Sequence, residues 1–209
     1  MEGKFIVFEG LDGSGKSTQI RLLAERLRAM GRSVAVTAEP TSSAIGGLVR
    51  DALSGFTPRS GAEIAALFMA DRVQHNVNPV WGIRTLLAQG RDVICDRYYY
   101  SSLAYQGTVT DPDWVRRMNL DCPEIRRPDL CVFLDVDLER CRQRMAADRA
   151  FLEIYENEAS LAATRQRYYE LFRALEGTDT VCVVDAVRPP EEVAEDVFSV
   201  VLPLLTGEA

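Results

Sequence analysis

Lys4-Phe5-Ile6-Val7-Phe8-Glu9-Gly10-Leu11-Asp12-Gly13-Ser14-Gly15-Lys16-Ser17-Thr18 is the stretch from which the fold can be read. Its β-branched and aromatic run, Phe5 to Phe8, has the character of a buried strand. Beyond Thr18, the residues Ile20, Leu22, Leu23, Leu27 and Met30 recur as the apolar side of an amphipathic helix. The loop between them, Gly10 to Thr18, fits G-x-x-x-x-G-K-[ST]. In that pattern backbone N–H groups and the helix N-terminus cradle phosphate oxygens, the lysine neutralises the β- and γ-phosphates and the hydroxyl ligates Mg²⁺. Those roles fall to Gly13, Gly15, Lys16 and Ser17. Glycine is required because a side chain at the tight turn would block the phosphate or clash at positive φ. The ordinary alternative is a glycine-rich βα turn with a stray lysine.

With 209 residues and 47% hydrophobic content, the chain can bury a full core as one domain over 1–209. A net charge of −7 argues against a general nucleic-acid-binding surface, so anionic ligands must be met by placed cations. Lys4 and Lys16 are the only lysines; almost every other positive charge is a guanidinium, which matches phosphate geometry. Cys95, Cys122, Cys131, Cys141 and Cys182 form no C-x-x-C pair and read as reduced thiols of a cytoplasmic protein. Residues 1–9 carry no signal-peptide pattern, and no apolar run approaches the ~20 residues of a membrane span. The expectation is a soluble protein with neither a membrane nor a nucleic-acid partner.

Along the chain, Gly31 marks the end of the first helix and Ser33 to Thr37 reads as a second strand, left in extended form at Glu39-Pro40. Thr41 to Gly47 reads as a polar, glycine-rich loop, followed by helical spacing at Leu48, Val49, Ala52 and Leu53. Residues 60–89 are the longest helical pattern, with a break expected at Pro79 and Gly82. Asp92 to Asp96 is a buried strand that closes on an acid, where open α/β sheets place ligand chemistry. Tyr98 to Gly107 is aromatic and polar, without an assigned element. Then come a short helix at Pro112–Leu120, a strand at Leu130–Asp135, helical patterns at 138–147 and about 157–176, a strand at Thr180–Asp185 and a helix from Pro190 to about 202. Alternating strands and helices require parallel pairing through right-handed crossovers, hence a doubly wound α/β sheet with helices on both faces.

A phosphate loop leaves three classes open: a small-molecule kinase, a switch GTPase and an ATP-driven motor. The guanine-reading N-K-x-D pattern is absent, and the chain is short for a motor. A kinase needs further arginines for the acceptor phosphate and a flap that excludes water, and candidates for both are present.

Gly10 to Thr18, Glu39-Pro40, Phe68-Met69-Ala70-Asp71-Arg72, Asp96-Arg97-Tyr98, Ser101, Tyr105-Gln106-Gly107 and Pro128-Asp129-Leu130 occur in the order and spacing of the thymidylate kinases, which the chain resembles over nearly its whole length. The resemblance implies a nucleoside monophosphate kinase fold with a five-stranded parallel sheet, a homodimer, and transfer of the γ-phosphate of ATP to dTMP with Mg²⁺. Phe68 would stack on thymine and Arg72 would meet its carbonyl edge. Arg97 and Arg50 would hold the dTMP phosphate, while Ser101, Tyr105 and Gln106 would line the base pocket near Glu39 and Pro40. Asp96 would accept a proton or order the Mg²⁺ shell with Ser17; its ordinary role is a strand-end acid paired with Arg97. Asp12 would approach the dTMP sugar or the metal shell. Tyr155, in Glu153-Ile154-Tyr155-Glu156, would crowd the sugar C2′ position.

The phosphate loop itself holds no arginine, since positions 11–14 are Leu, Asp, Gly and Ser. Charge on the transferring phosphoryl must then be met from an arginine-rich lid at about 142–153, supplied by Arg140, Arg142, Arg144 and Arg149, with Arg144 and Arg149 expected to close over ATP. Ala38-Glu39-Pro40-Thr41-Ser42-Ser43 departs from the R-E-P-G-G-T of many bacterial relatives, and Tyr100 replaces a common aspartate. Asp185-Ala186 falls where the family's backbone meets adenine. His75, the one histidine, reads as structural. A kinase of another nucleoside monophosphate and a catalytically impaired nucleotide-binding protein are the competing readings.

Overall fold

The computed structural model describes residues 2–147 and 158–207. Five strands, β1 (Phe5–Glu9), β2 (Val34–Ala38), β3 (Asp92–Asp96), β4 (Leu130–Asp135) and β5 (Val181–Asp185), form one all-parallel sheet in the order β2-β3-β1-β4-β5. Strand β1 is central and fully buried because both of its faces are apolar. Ile6 and Phe8 point into a core formed with α1 (Lys16–Ala29) and α9 (Pro190–Thr206). Phe5 and Val7 point into the opposite core, beneath α4 (Ile83–Ala88), α5 (Tyr99–Tyr105) and α8 (Glu158–Ala174). The period of two along the strand thus supplies both layers at once.

Helix α3 (Gly61–Val77) starts at a capping box in which Ser60 and Glu63 exchange hydrogen bonds, and it ends at the expected break. There the Asn78 side chain accepts from the N–H groups of Val80 and Trp81, turning the chain into α4. Helix α6 (Pro112–Leu120) matches its expected bounds, with Asp111 as its cap. Helix α7 spans Leu138–Ala147. Three boundaries differ. Helix α2 (Ala44–Leu53) starts before Gly46 and Gly47, which read as loop residues. A Cβ at Gly46 would lie 2.0 Å from the carbonyl oxygen of Thr41, so this glycine lets the helix pack on the preceding turn. Tyr99–Tyr105 is helical, and a 3₁₀ turn follows at Gln106–Thr108. Helix α9 runs through Pro203 to a left-handed Gly207. Among the described residues, no helix is long and apolar enough to cross a membrane.

Candidate active site

The glycine loop lies at the carboxyl edge of the sheet, where β1 is flanked by β3 and β4 and the crossovers diverge. Gly15, at φ 96°, precedes α1 with no side-chain cap, leaving the first N–H groups of the helix facing the loop. A Cβ at Gly10 would meet the Leu134 carbonyl oxygen and Ser14 Oγ, both at 2.7 Å. Lys16 is buried and its Nζ donates to the carbonyl oxygens of Gly10 (3.0 Å) and Leu11 (3.1 Å), 4.0 Å from the Asp12 carboxylate. Burial, and then the neighbouring Arg97 charge, lower the pKa of Lys16. Burial works against ionisation of Asp12, but the charges of Arg97 and Lys16 outweigh it and hold its pKa at about 2.

Strand β3 delivers Asp96 and Arg97. Arg97 adopts φ 65° with its N–H on the Phe8 carbonyl, a left-handed conformation that arginine rarely takes. Its guanidinium donates to Asp12 Oδ1 (2.7 Å) and to Ser101 Oγ (2.9 Å) and lies 5.5 Å from the Tyr105 ring centroid. The expected ordinary partner of Asp96 was Arg97, but Arg97 pairs with Asp12, 85 positions earlier in sequence. Asp96 Oδ1 is buried without a hydrogen-bond partner among the described residues, and Asp96 lines the same cleft as Ser17 and Lys16. A buried carboxylate oxygen left over beside the phosphate-loop hydroxyl fits the hydrated Mg²⁺ of a nucleotide site.

That cleft encloses about 330 Å³. At one end are Asp12, Gly13, Lys16 and Ser17. The other end is walled by Glu39, Pro40, Phe68, Arg72, Ser101, Tyr105 and Gln106, with Arg97 between. Phe68 and Arg72 stand one helical turn apart on α3, so they share a face. Arg72 is buried by a polar cage: Nε and NH2 donate to Glu39 at 2.8 and 2.7 Å, NH1 donates to Ser102 Oγ at 3.1 Å and also to Asn119 Oδ1. His75 takes the structural place expected of it, bridging Glu39 Oε1 (2.9 Å) and Thr37 Oγ1 (2.8 Å) with no exposed surface. The departing 38–43 segment is held by Asp71, which accepts from the Thr41 N–H and from the hydroxyls of Thr41 and Ser43.

Arg50 does not line this cleft; it reaches back from α2 to the carbonyl oxygens of Pro40 and Thr41, on a neighbouring groove. Thr18, Ser14 and Gly15 line a second, smaller hollow of about 150 Å³ with Ala186 and Arg188, next to the phosphate loop. Arg140 is bound to the Val187 carbonyl and paired with Asp137. Arg142 and Arg144 lie on α7, whereas Arg149, Tyr155 and the 148–153 part of the expected lid fall outside the described residues.

One residue of the site went unread in the sequence. Glu9, which closes β1, is fully buried and collects four hydrogen bonds, from the N–H groups of Tyr98 (2.8 Å) and Ser101 (3.2 Å), Ser101 Oγ (2.7 Å) and Tyr168 Oη (2.8 Å). The signal is present in the sequence: β3, β4 and β5 each end on an aspartate, and β1 ends on Glu9 in the same way.

Known proteins match the chain over most of its length. Residues 8–197 match the family described as thymidylate kinase. The chain is 36% identical to a probable thymidylate kinase of Pyrococcus horikoshii, with 99% of this chain and 100% of that protein covered. It is 39% identical to the thymidylate kinase of Thermomicrobium roseum, with 94% and 93% covered. Among solved structures, thymidylate kinase from Candida albicans superposes with a TM-score of 0.79 at 27% identity, over 96% of this chain and 91% of that one.

Proposed function

The chain belongs to the thymidylate kinase family, and from that membership we propose how its residues divide the work of making dTDP from dTMP and ATP. The enzyme phosphorylates dTMP, a step in dTTP synthesis. The observation that carries the division of roles is the single cleft joining Lys16 and Ser17 to Phe68 and Arg72. Its donor end is a phosphate cradle, and its acceptor end offers an aromatic face beside a caged guanidinium, which suits a flat base with a carbonyl edge.

Gly10, Asp12, Gly13, Ser14, Gly15, Lys16, Ser17 and Thr18 form the ATP phosphate site, with the Thr18–Ala186 hollow as the adenine end. Ser17 and Asp96 hold Mg²⁺; when bound, that ion neutralises charge on the donor phosphates. Arg97 meets the acceptor phosphate, whose oxygen is already nucleophilic, so no histidine base is required. Phe68 stacks on thymine and Arg72 meets its carbonyl edge, with Glu39, Pro40, Ser101, Tyr105 and Gln106 closing the pocket. Arg50 braces the turn through NH1 on the Pro40 and Thr41 carbonyls and meets the acceptor phosphate with its other guanidinium N–H donors. Arg144 and Arg149 act from an arginine-rich lid at about 142–153, and Tyr155 guards the sugar.

The chain acts as one kinase domain over 1–209 and as a homodimer joined through the helices of 44–54 and 60–89, where the exposed Leu48 and Val77 support an apolar seam. A monomer mass in light scattering would remove that seam. Five cysteines with no C-x-x-C spacing support a cytoplasmic setting. ADP release with Mg²⁺-ATP and dTMP, dUMP, the ribose analogue of dTMP, dGMP, dCMP or AMP tests the pocket. Strong preference for dTMP over the ribose analogue and dGMP is expected; preference for another base would discard the roles of Phe68, Arg72 and Tyr155. In the same assay, unchanged turnover after replacing Arg144 and Arg149 together by glutamine would discard the lid.

A further inference from the structure

We propose that Glu9 is a positioning residue for Arg97, fixing through Ser101 the direction in which that guanidinium meets the acceptor phosphate. The proposal rests on the assignment of Arg97 to that phosphate. The chain of hydrogen bonds has a definite polarity. Arg97 NH1 can only donate, so Ser101 Oγ must accept from it (2.9 Å) and spend its own proton elsewhere. Glu9 Oε2, 2.7 Å away, is the charged acceptor for that proton, and Tyr168 Oη, 3.0 Å from Ser101 Oγ, donates its own proton to the same carboxylate oxygen (2.8 Å). The other carboxylate oxygen takes the N–H groups of Tyr98 and Ser101, the cap and the third residue of α5, so a strand side chain closes the N-terminus of a helix that has no cap of its own.

This makes Glu9 the common anchor of both ends of Arg97. Its bond to the Tyr98 N–H holds the backbone directly after the left-handed residue, and its bond to Ser101 holds the guanidinium. Burial raises the pKa of Glu9, opposed by the Arg97 charge and by the bonds from Ser101, Tyr98 and Tyr168, which favour the ionised, acceptor-only form. Glutamine has nearly the same shape but the wrong polarity. Its oxygen must face the two backbone donors, so its NH₂ would face Ser101 Oγ and Tyr168 Oη. The Ser101 hydroxyl then loses its carboxylate acceptor and must turn its proton to Tyr168 Oη, 3.0 Å away, shifting the lone pair that holds Arg97.

The test compares dissociation constants for thymidine and dTMP by calorimetry on the intact enzyme and on the variants Glu9→Gln, Ser101→Ala and Arg97→Ala. The ratio of the two constants isolates the contribution of the acceptor phosphate, and any loss of base contact or general loosening of the pocket cancels from it. Arg97→Ala is expected to lower the ratio by about 10- to 100-fold, as loss of charged hydrogen bonds does. Glu9→Gln and Ser101→Ala are expected to lower it by roughly 10-fold, and any change in thymidine affinity from the place of Ser101 in the base pocket cancels from the ratio. Should Glu9→Gln fail to fold, Ser101→Ala decides alone, because it removes the middle link and leaves the backbone anchor in place. A ratio unchanged in the folded Glu9 and Ser101 variants, with Arg97→Ala reduced, overturns the proposal and leaves the Arg97 assignment standing. A ratio unchanged in Arg97→Ala overturns that assignment, and the role of Glu9 falls with it.

Discussion

Replacing Lys16 by methionine is expected to reduce turnover of dTMP by about 10²–10³-fold, the cost of losing one preorganised cation from a transferring group. The melting temperature should fall by only a few degrees, the cost of leaving the buried Gly10 and Leu11 carbonyls without their donor. The loss should fall on kcat, and the KM for dTMP should stay near its original value, because Lys16 stands at the donor end of the cleft and Phe68 and Arg72 at the other. Steady-state ADP release over a dTMP titration separates the two parameters. Retention of kcat would mean that the transferring charge is met elsewhere.

Arg72→Met should cost both stability and recognition. The methionine fills the apolar part of the volume but leaves Glu39, 1% exposed, as a buried charge without its main counter-ion. Such an orphaned carboxylate destabilises by about 3–5 kcal/mol, which for a chain of this size lowers the melting temperature by on the order of 10 °C. Loss of the guanidinium should also weaken kcat/KM for dTMP by about 10- to 100-fold. Adding Glu39→Gln separates the two effects. The double variant should regain much of its melting temperature, measured by calorimetry, and none of its selectivity for dTMP. Recovery of both would assign Arg72 to the fold alone.

What the sequence disclosed and what it hid divide along the distance between interacting residues. The phosphate loop was legible because its requirements are local: a glycine at 10 where a Cβ would strike both Leu134 and Ser14, positive φ at Gly13 and Gly15, and a lysine next to a helix start. The break between α3 and α4 was legible for the same reason, through Pro79 and Gly82. Helix α5 was not. Tyr99, Tyr100, Ser102 and Ala104 are buried on every side, so no polar face imposes a period, and its cap comes from Glu9 about ninety positions away. The partner of Arg97 was hidden likewise: adjacency suggested Asp96, while the fold brings in Asp12. At Gly46 composition misled, because a glycine demanded by close packing looks like one that loosens a loop.

The backbone at Arg97 has a consequence for how this chain can change. A left-handed arginine costs of order 1–3 kcal/mol that glycine or asparagine would largely recover. Stability and catalysis therefore pull position 97 in opposite directions. A library sorted only for heat resistance should enrich small residues there and yield robust, inactive proteins. Sorting for activity should keep the arginine and collect its compensation at distant sites.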